Sequence, residues 1–157
     1  MEPKIVEKEA FKIVGLRKMF TAETTKEIPE LWNQFMAHIP QLSTGEGMPV
    51  CYGACYHDPS QPMEASAEFE QIAAVEFKEG VEIPDGLIVR DVEACKYAVF
   101  THKGKLDKLT DTYNYIYGVW SQREDVKLKA GHMFEYYDEH FNPESDESEI
   151  FIYVPIE

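Results

Sequence analysis

Cysteine is sparse in this chain, with three in 157 residues. An odd, scattered set of that size builds no disulfide framework. Cys51 and Cys55 fall in one expected strand, where about 3.3 Å per residue sets their backbones roughly 13 Å apart, beyond disulfide reach. They form no CxxC pair and read as buried thiols. Positive charge is also scarce: 15 Lys and Arg against 29 Asp and Glu leave a formal net charge of −14. Nucleic acid and anionic membranes are repelled by such a surface unless a compact basic patch opposes it. The densest basic cluster, Lys103, Lys105 and Lys108, is interrupted by Asp107. Direct nucleic-acid binding and membrane attachment are therefore not expected. No apolar run approaches the ~20 residues of a membrane span, and the opening MEPKIVEKEAF carries charge where a signal peptide needs an apolar stretch. A cytoplasmic location is expected. Neither a P-loop nor a GxSxG elbow occurs, and GEG at 45–47 lacks the third glycine of a dinucleotide loop. No cofactor is implied.

What is present is a foldable composition, 44% hydrophobic and 13% aromatic, in a length that suits one domain with a real core. Nine Tyr, nine Phe and two Trp mostly serve packing, and some are available to line a binding surface. Strand-forming residues fill 11–21, with Gly15 as an expected bulge. After Thr25, the residues Ile28, Leu31, Trp32, Phe35, Met36 and Ile39 recur at helical spacing, with Pro29 in the first turn. Strands are expected at 50–57 and 69–77 with a turn at 58–62, and a charged Pro/Gly connector at 78–86 divides the chain. The second half repeats the order: strands at 87–92 and 95–103, then a helix over 105–120 with Leu106, Leu109, Tyr113, Ile116, Tyr117 and Trp120 on one face. Strands follow at 132–138 and 149–154.

The fold class is therefore α+β. A tandem strand–helix–strand–strand repeat, approximately 4–80 and 86–157, forms one antiparallel sheet in a single domain over 1–157. Both helices lie on one face, and a ligand cleft lies between the halves.

Glu135 stands out, an acid among aromatics in mid-strand, where Glu is disfavoured. Alternation sends Met133, Glu135 and Tyr137 to one face and His132, Phe134, Tyr136 and Asp138 to the other. In the neighbouring strand Phe151 and Tyr153 oppose Ile150, Ile152 and Val154. The aliphatic set is expected against the helices and the aromatic set as a pocket wall, with Glu135 in that wall. An ionised carboxylate there serves as counter-ion to a cation held by ring faces. With its pKa raised by desolvation, it serves as a general acid or base. The bland alternative is an exposed Glu on a half-buried sheet. His132, Glu135, Asp138, Glu139 and His140 invite a metal, but His132 and Glu135 face opposite ways on a strand, so no metal site is expected.

The ordered series FKIVGL, IPELWNQF, CYGACYHDP, Cys95–Phe100 with His102 and Gly104, YNYIYGVW, FEYYDEHF and EIFIYVPI resembles the GyrI-like small-molecule-binding domain. That family is similar to the effector-binding domains of AraC- and MerR-type regulators. The resemblance runs from about Pro3 to Ile156 and implies an aromatic cleft between the halves that takes lipophilic cations, a multidrug-type binding function, with a buried Glu that matches Glu135. The aromatic walls it implies map onto Tyr137, Tyr153, Trp120 and Tyr117, with Phe151 beside them. No DNA-reading segment is seen ahead of the first strand, so a stand-alone binder is expected. Two alternatives attach to the same resemblance. One is a hydrolase opening electrophilic cyclopropane rings in genotoxic compounds, with Glu135 as the catalytic base. The other is a gyrase-inhibitor-type protein-binding module using the acidic run Glu144, Asp146, Glu147 and Glu149. Where the first half has Gly53, the second has Glu135, and ligand selectivity is expected at that asymmetry.

Overall fold

The structure is a computed structural model that describes residues 2–21, 23–42, 50–57, 68–80, 82–142 and 144–157, without the side chain of Gln41. The expected turn at 58–62 and the GEG loop lie outside the described residues. Eight strands form one sheet: β1 (Lys4–Lys8), β2 (Phe11–Phe20), β3 (Cys51–His57), β4 (Phe69–Glu76), β5 (Ile88–Val92), β6 (Cys95–Lys103), β7 (Gly131–Tyr137) and β8 (Glu149–Ile156). The helices are α1 (Ile28–Met36), the short α2 (Ile39–Leu42) and α3 (Leu109–Gly118). The strand order is β1-β6-β8-β7-β3-β4-β2-β5, and every pairing is antiparallel. This is the expected α+β architecture. Among the described residues, no helix is long and apolar enough to cross a membrane.

Strand β1 is an element that sequence reading missed; its KIVEK run is too short and charged to signal a strand, as is typical of an edge. It belongs to the first half yet pairs with β6, while β5 of the second half pairs with β2. Both pairings keep one register: Lys4↔Val99 to Lys8↔Cys95, resumed at Phe11↔Val92 to Gly15↔Ile88. Only Glu9–Ala10 and Glu93–Ala94 interrupt it. β1–β2 and β5–β6 are thus two long bent strands running side by side, each passing from one edge region of the sheet to the other. That ribbon curls the sheet, and the curl buries its second face on itself. Phe11 of β2 meets Tyr52 of β3 and Phe134 of β7, with ring centroids 5.5 and 5.8 Å apart, although β4 and β3 separate β2 from β7 in the strand order.

The first face carries the helices. Cross-strand registers place Leu16, Ala73, Gly53, Glu135, Ile152 and Phe100 in one row on it. α1 starts with Pro29, whose missing N–H costs nothing in a first turn, and lays Leu31 and Phe35 on Val14, Ala73 and Val75. α3 lays Thr112 and Ile116 over Phe100, Ile150, Ile152 and Val154. The two helices share one burial pattern, which matches Leu31 with Thr112, Trp32 with Tyr113 and Phe35 with Ile116. Thr112 is buried because its hydroxyl meets the Nδ1 of buried His102 at 2.6 Å, while His102 Nε2 donates to the Lys105 carbonyl at 3.1 Å. This bond ties α3 to the end of β6 and fixes where the helix's tyrosines fall.

Gly15 is not a bulge. It pairs regularly with both Ala74 and Ile88, and glycine is required there by proximity. A Cβ would stand 2.1 Å from the Ala73 carbonyl oxygen and 2.7 Å from Ala74 Cα. Gly15→Ala is expected to destabilise the fold by about 3 kcal/mol or more, since overpacking against backbone cannot be relieved by side-chain rotation. Urea denaturation measures it, and a change below about 0.5 kcal/mol, the range of a neutral surface substitution, contradicts this packing.

Candidate ligand site between the two helices

Glu135 lies inside β7, directly across from Gly53 of β3, at the junction of the two halves. The register Glu135↔Ile152 puts it on the helix face together with Met133 and Tyr137. The sequence-based expectation that Glu135 shares a wall with Tyr153 and Phe151 is corrected here. Those rings line up with Phe134 and Tyr136 on the opposite face, where Tyr153 stacks on Phe134 at 4.5 Å. The aliphatic residues of β8 do face the helices, as expected, and Glu135 is on their side.

The hydroxyls of Tyr113 and Tyr137 each donate to one carboxylate oxygen of Glu135. Tyr137 is flanked edge-on by Trp32 of α1 at 5.5 Å and by Phe141 at 4.9 Å. On α3, Tyr113 and Tyr117 lie parallel with centroids 6.3 Å apart, and the Tyr117 hydroxyl donates to Met133 Sδ at 3.0 Å. Glu135, Tyr113, Tyr117, Tyr137, Trp32 and Cys55 all keep part of their surface accessible, although sheet and helices crowd them. Of the residues singled out from sequence, Glu135, Tyr137 and Tyr117 come together. Trp120 is buried apart from them against Phe100, with ring centroids 4.8 Å apart. Tyr153 and Phe151 are on the far face.

Tyr113 and Trp32 are the additions, while Gly53, matched with Glu135 from sequence, lies directly across the ladder from it. Tyr113 carried a signal, since it lies one helical turn before Tyr117 on the same face. Trp32 becomes legible once α1 is aligned with α3 by burial, because it is then the counterpart of Tyr113.

Burial raises the Glu135 pKa above the ordinary carboxylate value, and hydrogen bonds from Tyr113 and Tyr137 oppose it, as does the nearby His102. Burial, then the Glu135 charge, pushes both tyrosines well above their usual range. Cys55 is pushed up to about 12 by burial and then by Glu135, and Cys51 to about 11 by burial. Both thiols are thereby disfavoured as thiolates near neutrality.

The site therefore holds one carboxyl with two phenolic donors, walled by rings from both helices. Such an arrangement can receive a proton or a cation.

The chain belongs to the GyrI-like small molecule binding domain family, whose model matches residues 1–157. It is 34% identical over 157 residues to the transcriptional regulator BrlR of Pseudomonas aeruginosa, covering 99% of this chain and 56% of that protein. The chain thus spans little more than half the length of that relative. Among solved structures it is similar to SAV2435 bound to tetraphenylphosphonium, with TM-score 0.77 and 18% identity over 100% of this chain and 94% of that one. It is also similar to the EcmrR C-terminal domain, with TM-score 0.66 and 18% identity over 99% and 97% of the respective chains. At these identities the solved structures show a shared fold.

A carboxyl with a folded-state pKa above its unfolded value favours folding in its protonated form. That contribution is complete below the unfolded value, near 4.5, and is lost as pH rises through the raised folded value. Glu135→Gln is therefore expected to be more stable than the wild type at pH 8, with the gap closing as pH falls toward 4.5. Denaturant midpoints across that range test this, and a gap that is constant with pH contradicts it.

Proposed function

We propose that this small-molecule-binding domain captures lipophilic monocations between α1 and α3, with Glu135 as counter-ion and Trp32, Tyr113, Tyr117 and Tyr137 as ring walls. The observation that carries the reading is the single carboxyl at the junction of the halves, held by two tyrosine hydroxyls. A bound cation repays part of the desolvation of that carboxylate, and ring faces favour cations whose charge is shielded by apolar groups. SAV2435, the solved neighbour bound to tetraphenylphosphonium, supports that ligand class. The net charge of −14 supports action on the ligand rather than on DNA.

Tetraphenylphosphonium titration by calorimetry tests the proposal. Glu135→Gln is expected to weaken binding about tenfold or more, the equivalent of 1.4 kcal/mol. Wild-type affinity is expected to rise with pH, because the cation favours the ionised carboxyl and competes with its proton. Equal affinities for the two proteins, or a wild-type affinity independent of pH, contradict the counter-ion role.

The raised pKa of Glu135 favours one second reading, general-base catalysis. In that reading the carboxylate takes a proton from water as the oxygen attacks an electrophilic cyclopropane carbon. The strained C–C bond opens with its electron pair passing to the ring's electron-withdrawing substituent, which then takes a proton to give the water adduct. Incubation with a cyclopropane-bearing alkylator followed by mass spectrometry is expected to show the water adduct, formed faster by wild type than by Glu135→Gln. No excess over a boiled control excludes it.

A further inference from the structure

Gly53 sits in the middle of a central strand, where glycine ordinarily weakens a sheet. Its conformation does not call for glycine. Positive φ values among the described residues occur at Gly80, Gly86 and Gly104 alone. What it supplies is space beside the candidate site. A Cβ at residue 53 would stand 3.3 Å from Gln71 Nε2, 3.3 Å from Trp32 Cζ2 and 3.6 Å from Glu135 Oε2. The last is an ordinary contact. The first two are tighter than nine in ten real Cβ contacts, so the added methyl would push the Trp32 ring, the Gln71 side chain, or both back by a few tenths of an ångström.

The position has a second constraint. The strand order reads β1-β6-β8-β7 from one edge and β5-β2-β4-β3 from the other, so exchanging the halves exchanges β7 with β3. Glu135 and Gly53, already partners across the ladder, are then also counterparts by pseudo-symmetry. An acid at both positions would place two carboxylates on directly opposed Cβ atoms, about 5 Å apart, where like charges destabilise a sheet. One acid and one residue without a side chain satisfy the site. A single carboxyl also matches a single positive charge.

From this geometry we propose that Gly53 is a specificity-determining residue. By letting the Trp32 ring lie down against β3, it sets the width of the gap between Trp32 on α1 and Tyr113 on α3, and so the size of cation that reaches Glu135. The proposal rests on the counter-ion reading of Glu135 and deepens it.

The test compares tetraphenylphosphonium with the slimmer tetraethylammonium by calorimetry on wild type, Gly53→Ala and Trp32→Phe, with thermal melts as folding controls. Gly53→Ala is expected to press the Trp32 ring toward the gap and to weaken tetraphenylphosphonium about tenfold relative to tetraethylammonium. Trp32→Phe withdraws the atom that a residue-53 methyl would meet, and is expected to move the same affinity ratio the opposite way. In the double variant the wild-type ratio is expected to return. If Gly53→Ala does not fold, the Trp32→Phe ratio alone decides, and an unchanged ratio overturns the proposal. If wild type binds but Gly53→Ala leaves the ratio unchanged, Gly53 has no role in size selection while the counter-ion reading stands. If wild type binds neither cation, the counter-ion reading fails and this inference with it.

Discussion

Burial of the Glu135 carboxyl at the centre of the sheet, against the two tyrosine hydroxyls that hold it, is the interaction on which the rest of the site depends. Desolvation resists ionisation, while the Tyr113 and Tyr137 donors favour it. The first effect prevails, so the Glu135 carboxyl keeps its proton to higher pH than an ordinary carboxyl does. Each donor has its own support. Tyr137 is on the same strand, two residues on, and Trp32 and Phe141 fix its ring. Tyr113 comes from α3, which the His102–Thr112 bond ties to β6.

The curled sheet is what leaves this face available. Its second face closes on Phe11, Tyr52, Tyr97 and Phe134, so the two long strands build a core without helices. The first face is then covered by two separate helices, each with its own cluster: α1 over Val14, Ala73 and Val75, α3 over Phe100, Ile150 and Ile152. Between those clusters the central strands carry Gly53 and Glu135 in place of large apolar residues, and the row of core residues is interrupted at that point.

Much of this was legible in the order of residues. The strand and helix periodicities and Glu135 as a misplaced acid follow from pattern and composition. Strand alternation also set Glu135 beside Tyr137 and apart from Phe134. What alternation cannot supply is the register between strands, and a one-residue shift moves a side chain to the other face. That is why alternation alone groups Tyr153 and Phe151 with Glu135, although Ile152 is its actual neighbour. Gly15 reads as a bulge in sequence because a close approach of two backbones leaves the same mark there as a bulge does. β1 leaves little trace in sequence because a short charged edge strand carries little periodicity. Trp32 and Tyr113 come from helices far apart in the chain, and only folding shows that they flank one carboxyl.

The central claim is that Glu135 is an unusually basic carboxyl that exchanges its proton for a cation. The most direct measurement is a pH titration of the Glu135 side-chain carboxyl by ¹³C NMR, with and without tetraphenylphosphonium. The account predicts a carboxyl that titrates above the other glutamates in the free protein and shifts to lower pH when the cation binds. A Glu135 resonance that titrates with the exposed glutamates and ignores the cation would contradict it.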